Sequence, residues 1–275
     1  MSLLHFKIEN RNFSFTEEHF SGSRGESIVK LTVDALKYVY IPPNIKLEWS
    51  VHAGDCPLEH ANIEKSSNVF SVVEYTENID RAYPCWFFQG LPEINCPDYE
   101  DLINNLEETG NITPLYNKIL WRGANSSIKD KLCEIGKKYD WTDFKIVNGV
   151  QLPFTDYTKW KYLIDVEGCA FGGGYSARIK ALMFTKRVLF IQDRTSWDMI
   201  RNILRDGINC IFIKNDMSDL EEKYKWIEEK GPEFQKKMAL QLFEDANKFC
   251  RRGNAHNRIR KLIINLMEYN CSNRI

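Results

Sequence analysis

The chain has 275 residues, a formal net charge of -1, 43% hydrophobic residues and 27% charged residues. This composition is typical of a folded protein with one large or two medium domains, and it excludes a disordered chain. A net charge so close to zero gives no general attraction to nucleic acid. Because no stretch approaches the ~18 apolar residues of a membrane span, and the N-terminus lacks the features of a signal peptide, we expect a cytoplasmic protein.

The cysteines and histidines form no metal-binding pattern. The eight cysteines are scattered singly without a C-x-x-C pair, and the five histidines have no metal-ligand spacing. We therefore predict no bound metal and no cofactor. In a chain without a secretion signal, the cysteines are expected to stay reduced.

The first part of the chain is predicted to alternate helices and strands. The apolar spacing predicts helices at 28–40 and 99–106, and strands at 46–52 and 69–73. The first helix ends before Pro42 and Pro43, which cannot continue it. The polar, turn-rich stretch 107–114 (EETGNITP) is the predicted domain boundary.

The second part repeats the alternation. Strands are predicted at 119–121, 144–147, 162–166, 188–191 and 210–213, and helices at 128–138, 176–185, 197–205, 220–230, 232–250 and 258–269. The alternation in both parts predicts two α/β domains with parallel sheets. Ligands of such sheets bind beyond the carboxyl ends of the strands.

A glycine-rich turn follows the strand at 162–166. It contains Gly168 and residues 172–174, and a helix is predicted to begin near Ser176 with Arg178 in its first turn. Free backbone N–H groups at a helix N-terminus, with an arginine beside them, favour an anion such as a phosphate. The turn is neither G-x-G-x-x-G nor a Walker loop, so the alternative is a tight strand-to-helix turn without a ligand.

An aspartate followed by aromatic residues comes after the second predicted strand. Asp80 could accept a proton from an attacking hydroxyl, and aromatic residues such as Tyr83 and Trp86 could stack on a sugar ring or a base. On the residues alone, a solvated aspartate beside buried aromatic side chains is the favoured alternative.

Two further loops follow strands of the second part. Arg122, Ser126 and Ser127 could donate hydrogen bonds to a phosphate, although a helix-capping serine is the favoured interpretation. Asp165 and Glu167 stand at a strand end, and we interpret them as acids that orient the loop, not as metal ligands.

Four of these segments together carry a family resemblance. The matching segments, in chain order, are 41–57 (ending in D-C-P), 80–86 (D-R-A-Y-P-C-W), 121–127 (W-R-G-A-N-S-S) and 161–178 (K-Y-L with a following G, then S-A-R). In this order and spacing the chain resembles the CAP10-like glycosyltransferases of family 90 over about residues 41–268.

The resemblance implies a GT-B fold, in which two Rossmann-like domains face each other across a cleft. Residues 1–114 would form the acceptor-side domain, with the C-terminal helix 255–275 packing back on it, and residues 115–254 would bind the nucleotide sugar. It also implies an inverting, metal-independent transfer of a sugar from a UDP-sugar to a glycan or glycoprotein hydroxyl.

The resemblance assigns roles to individual positions. Asp80 matches the catalytic base. The predicted donor-binding residues are Arg122, Gly123, Ser126, Ser127, Gly174, Tyr175, Ser176 and Arg178, and the predicted acceptor-side residues are Asp55, Tyr83 and Trp86. An arginine that the family has shortly after the Arg122 loop is missing, and Lys129 or Lys131 could replace its charge.

The donor sugar is not determined by these motifs, and we favour xylose, with glucose next. A compact member without a secretion signal is expected in a bacterial cytoplasm, or in the host cytoplasm if it is encoded by a large virus. The main alternative is a non-catalytic nucleotide- or carbohydrate-binding module of the same fold. An NAD-dependent oxidoreductase is disfavoured because the dinucleotide fingerprint is missing.

Overall fold

The computed structural model describes residues 3–18, 22–54, 56–59, 61–92, 96–124, 127–147, 152–168 and 176–272. Their contacts group them into two compact units. Unit 1 holds residues 1–91, 196–199 and 251–275, and unit 2 holds residues 92–195 and 200–250. Within the described ranges, no helix is long and apolar enough to cross a membrane.

The strands and helices are named here in chain order. They are β1 (Leu3–Glu9), β2 (Asn12–Glu18), α1 (Ser23–Leu36), β3 (Lys46–His52), β4 (Val69–Ser71), β5 (Glu74–Tyr75), α2 (Tyr99–Thr109), β6 (Tyr116–Gly123), α3 (Ser127–Gly136), β7 (Thr142–Ile146), β8 (Trp160–Asp165), α4 (Ile179–Leu182), β9 (Val188–Gln192), β10 (Ser196–Trp197), β11 (Ile211–Ile213), α5 (Leu220–Glu229), α6 (Gly231–Phe249) and α7 (Arg252–Ser272). Short 3₁₀ helices occupy Thr76–Arg81, Trp86–Phe88, Phe154–Lys159 and Met199–Ile203.

Unit 1 is built on a four-stranded sheet in the order β2-β1-β3-β4. Strand β1 pairs antiparallel with both β2 and β3, and only β3 and β4 are parallel. The inward side chains of β1 and β3 alternate with polar ones, and the rings of Phe6 and Trp49 stack at 5.2 Å between their centroids. The prediction of a parallel sheet in the first part of the chain is therefore wrong, because the chain starts with a hairpin that was not predicted.

Helices α1 and α7 complete unit 1. The buried side chains of α7, from Ala255 to Leu266, recur every three or four residues, which is the spacing of one helix face. Arg260 of α7 donates a hydrogen bond to the carbonyl of Ala35 in α1. Strand β10 also belongs to this unit and pairs with β5.

Unit 2 holds a five-stranded parallel sheet in the order β11-β9-β8-β6-β7. The strands match the five predicted for this part of the chain to within a few residues, and the unit is α/β as predicted. Its core contains Trp121, Tyr162, Ile164 and Phe190, all at most 2% exposed. The chain adds β7 on one side of β6 and then adds β8, β9 and β11 on the other side. The order in which strands are added therefore reverses between β6 and β8, and this switch point is where open α/β sheets bind ligands.

Two helices predicted in the second part of the chain differ from the structure. The helix predicted at 176–185 is only α4, Ile179–Leu182, with Arg178 as its N-cap residue. The helix predicted at 197–205 is replaced by β10 and the 3₁₀ helix Met199–Ile203. The first stretch of unit 1 ends at residue 91, whereas the sequence predicted a domain boundary at 107–114.

Candidate active site

The carboxyl ends of β6 and β8 are joined by a buried lysine. Lys129 of α3 is 7% exposed and donates a hydrogen bond from Nζ to the carbonyl of Gly168, 3.1 Å away. Gly168 lies three residues after the end of β8, and α3 follows β6. The loops after these two strands therefore meet at the switch point, with a cation between them.

Arg178 is fixed at the same edge of the sheet. Its Nε donates to Asp165 Oδ1 at 3.3 Å, and its Nη1 donates to the carbonyl of Arg122. Asp165 is fully buried and also pairs with Arg194, whose Nη2 lies 2.7 Å from Asp165 Oδ2. Two guanidinium groups thus bind the two oxygens of one carboxylate. As predicted, Asp165 orients its surroundings through these bonds.

The guanidinium of Arg122 binds β7. Its Nη2 lies 2.7 Å from Asp143 Oδ2, and its Nη1 donates to the carbonyls of Asp143 and Trp121. Burial alone would raise the pKa of Asp143, but the hydrogen bond and charge of Arg122 hold this pKa below its usual range. The donor-binding role of the Arg122 side chain stays a prediction.

Gly123 ends β6 where a side chain would not fit. A Cβ atom at this position would lie 2.5 Å from Cζ2 of the buried Trp121 ring. The glycine therefore has a packing role at the start of the loop.

In unit 1, the segment that carries Asp80 is held by its backbone. Asp80 is exposed and lies in the 3₁₀ helix Thr76–Arg81. Arg258 of α7 donates to the carbonyls of Ile79 and Ala82, each at 3.3 Å, and to the carbonyl of Asp80. Burial lowers the pKa of Arg258, and the negative charge of Asp80 acts in the opposite direction. Arg258 therefore fixes the Asp80 backbone while the carboxylate stays at the surface.

Tyr83 and Trp86 lie in the core of unit 1. Tyr83 is fully buried, and its hydroxyl is 2.8 Å from Oγ1 of Thr32 in α1. Burial raises the pKa of this tyrosine. Trp86 is 3% exposed and has the guanidinium of Arg24 above its ring. Both aromatic side chains are buried in unit 1, and their predicted contact with an acceptor stays a prediction.

Comparison with known proteins now assigns the family. The model of glycosyl transferase family 90 matches residues 28–270, which is most of the chain. The chain belongs to glycosyl transferase family 90. The resemblance seen in the motifs is confirmed, and glycosyl transfer is the class of reaction that family membership supports.

Individual relatives are more distant. Protein O-glucosyltransferase 2 of Danio rerio is 27% identical over 266 residues, which is 87% of this chain and 50% of that protein. The chain thus spans half the length of this relative. A crystal structure of the GtfA/B complex aligns with 66% of this chain and 35% of its own chain, at 12% identity and a TM-score of 0.40.

Several predicted site residues of this family 90 member lie outside the described residues. They are Asp55, Ser126, Gly174 and Tyr175. Ser127 begins α3, and Ser176 is 7% exposed, two residues before Arg178. Among the described candidates in unit 2, the structure brings together Arg178 and the Arg122 carbonyl, and Lys129 lies at the same edge of the sheet.

Arg194 and Glu74 were not predicted from the sequence. Arg194 follows β9 and shares Asp165 with Arg178, and its position after a strand was the available signal. Glu74 of β5 is 1% exposed, and burial raises its pKa to about 7, against the opposing charges of Lys65 and Arg81. No signal in the sequence distinguished Glu74 from an exposed glutamate.

Proposed function

We propose that this protein is an inverting glycosyltransferase that moves a sugar from a UDP-sugar to a hydroxyl of a glycan or glycoprotein without a metal ion. The observation that carries the proposal is the position of Lys129 and Arg178 at the switch point of the unit 2 sheet. In a member of glycosyl transferase family 90, this is where the diphosphate of a donor would bind.

The cations at this edge suit a leaving diphosphate. Arg178 and Arg194 both bind the carboxylate of Asp165, and Lys129 lies at the neighbouring loop. Such fixed charges stabilise negative charge that develops on a leaving group without reorganising. The helix dipole of α4 is small because this helix has only four residues. The side chains, rather than the dipole, would therefore stabilise the leaving diphosphate.

Asp80 is the proposed general base. In a single displacement, the acceptor oxygen forms a bond to the anomeric carbon while the bond from that carbon to the UDP oxygen breaks. The acceptor proton goes to the Asp80 carboxylate, and the electron pair leaves with UDP. An exposed carboxylate on a backbone fixed by Arg258 suits this role, because it is accessible to a substrate hydroxyl.

The proposal includes a GT-B fold, in which residues 1–114 and the last helix bind the acceptor and residues 115–254 bind the donor. It also includes a cytoplasmic location.

The donor sugar is tested by direct comparison. The expectation of a compact cytoplasmic or viral member led us to favour xylose, whereas the name of the Danio rerio relative, an O-glucosyltransferase, supports glucose. A pocket for xylose only has to exclude the C6 group of glucose, which one bulky side chain can do. Purified protein is incubated with a panel of UDP-sugars and an acceptor hydroxyl, and released UDP is measured with and without EDTA.

This assay separates the two candidate functions. Sugar-dependent release of UDP that EDTA does not reduce supports the proposal, and loss of turnover in EDTA overturns its metal independence. Tight UDP binding with no turnover on any donor and acceptor would favour the non-catalytic module instead.

A further inference from the structure

A cavity of about 810 Å³ lies within unit 2 at the amino ends of the parallel strands. It is lined by Tyr116 at the start of β6, Lys161 near the start of β8, and Val188 at the start of β9, with α6 as another wall. The proposed donor site is at the opposite, carboxyl edge of the same sheet. The volume is in the range of sites for small ligands.

The cavity has a buried cation in its wall. Arg187 is 6% exposed, and all its N–H groups donate to backbone carbonyls, those of Thr158, Gly110, Ile112 and Lys186. In the part of the chain that the structure describes, no carboxylate pairs with it. Burial lowers the pKa of Arg187 to about 10. Its hydrogen bonds are satisfied but its charge has no counterion, and an anion in the cavity would offset that charge.

The rim of the cavity is also basic. Lys161, Lys186 and Lys236 line it, and none of its described lining residues is an aspartate or glutamate. Lys161 pairs with Glu228 at 2.9 Å, and Lys186 donates to the Glu107 carbonyl and to Asn111 Oδ1. Lys236 is exposed on α6. The field in the cavity therefore favours a negatively charged ligand.

Apolar side chains line the same space. Ile112, Leu115 and Tyr116 are 47%, 69% and 46% exposed, and Leu240 of α6 belongs to the same lining. The ring of Tyr116 contacts that of Trp160, with centroids 4.8 Å apart. Exposed apolar groups of this size around a basic rim match a ligand with an apolar body and one anionic end.

We propose that this cavity binds a small amphipathic anion, a carboxylate or phosphate on an apolar chain, at a site separate from the proposed donor site. The anionic end lies towards Arg187 and Lys236, and the apolar body lies on Leu115 and Leu240. This proposal stands on the cavity alone and does not depend on glycosyl transfer.

Calorimetry on the full chain tests it with ten-carbon probes that share one body. We expect saturable binding of decanoate or decyl phosphate, and at least tenfold weaker binding of decanol and decyltrimethylammonium. The affinity ratio of the two anions identifies the preferred headgroup. High salt should weaken the binding of the two anions and leave the binding of decanol unchanged.

Neighbouring lysines provide a matched pair of variants. Lys236→Glu reverses a charge that lines the cavity, whereas Lys237→Glu makes the same change at an exposed position outside the lining. We expect Lys236→Glu to lower the affinity for decanoate about tenfold, which is the effect of one nearby partly screened charge. Lys237→Glu should change this affinity less than about twofold. Both positions are exposed, so both variants should fold, as circular dichroism will verify. The proposal is overturned if neither anion binds, if decanol binds as tightly, or if the two variants behave alike.

Discussion

The two regions that carry the candidate site residues hold their charged groups in different ways. At the carboxyl edge of the unit 2 sheet, charges pair with each other, because Asp165 is buried between Arg178 and Arg194. Around Asp80 in unit 1, the arginines bind backbone carbonyls instead, and the carboxylate is exposed. The first arrangement fixes two guanidinium groups around one buried carboxylate. The second fixes the backbone of a segment while its carboxylate stays exposed.

The largest expected effect is that of Asp80→Asn. If Asp80 is the base, turnover should fall by ~10²–10⁴, the usual contribution of a positioned base, while UDP affinity stays unchanged. The exposed Asp101 of α2 provides the control, since Asp101→Asn should keep full activity. Near wild-type turnover in Asp80→Asn would remove Asp80 from the mechanism.

Arg178→Ala should act on the other region. We expect UDP affinity, measured by calorimetry, to fall about 10- to 100-fold, as for the loss of a charged hydrogen-bonding group. Arg178→Lys should recover part of it, because charge returns without the planar fork. Arg205→Ala removes a surface pair with Asp245 in the same unit and serves as the control. Unchanged UDP affinity in both Arg178 variants would contradict the diphosphate role.

Glu74→Gln tests whether unit 1 contains a costly buried charge. The pKa of Glu74 is raised by burial to about 7, above its unfolded value, so the folded protein binds this proton more tightly. Stability should therefore be highest below about pH 4.5 as far as Glu74 is concerned, and decline as the pH rises to about 7.

The variant should remove that decline. At pH 8, Glu74→Gln should be more stable than the wild type by about 2 kcal/mol, and at pH 4.5 the two should be equal. Urea denaturation at both values measures this difference. Glu64→Gln at an exposed position is the control and should leave the free energy of unfolding nearly unchanged at both pH values. If Glu74→Gln is less stable than the wild type at pH 8, the ionised carboxylate of Glu74 is stabilising.

The smallest effect is expected for Arg258→Gln, which tests whether Arg258 positions Asp80. We expect kcat to fall about 3- to 10-fold with an unchanged KM for the donor, on the scale of about 1 kcal/mol that an intramolecular hydrogen bond typically contributes. Arg252→Gln is the control, because Arg252 on the same helix donates to the carbonyls of Phe88 and Gln89.

Two further variants separate positioning from stability. Arg258→Lys should restore part of kcat, and Arg258→Gln should cause no further loss when Asp80 is already asparagine. Equal losses of kcat in the Arg252 and Arg258 variants, or additive losses with Asp80→Asn, would assign Arg258 a purely structural role.

The parallel sheet of unit 2 was predictable because its strands are short apolar runs between helices. The predicted strand 188–191 is β9, and 162–166 is β8 with a shift of one or two residues. The hairpin of β1 and β2 was not predicted. Its turn has Asn10 and Arg11 at positive φ, 51° and 64°, and the usual glycine of such a turn is missing.

The candidate site was predictable only in part. Motif order pointed to Asp80 and Arg178, but the sequence does not reveal which charges pair in three dimensions. Arg122 binds Asp143 of β7, which is 21 residues away in the sequence. Arg258 binds the backbone carbonyl of Asp80, which is 178 residues away. Such contacts depend on strand order and helix packing, which local sequence patterns do not encode.

The placement of α7 has a consequence for synthesis of the protein. Unit 2 has all of its residues once Cys250 has left the ribosome, whereas unit 1, which begins with β1, still requires residues 251–275. The unit that is translated first is therefore the last to be completed. Until α7 arrives, the apolar side chains that it covers in unit 1 are open to water, and a nascent chain paused at this stage is exposed to aggregation.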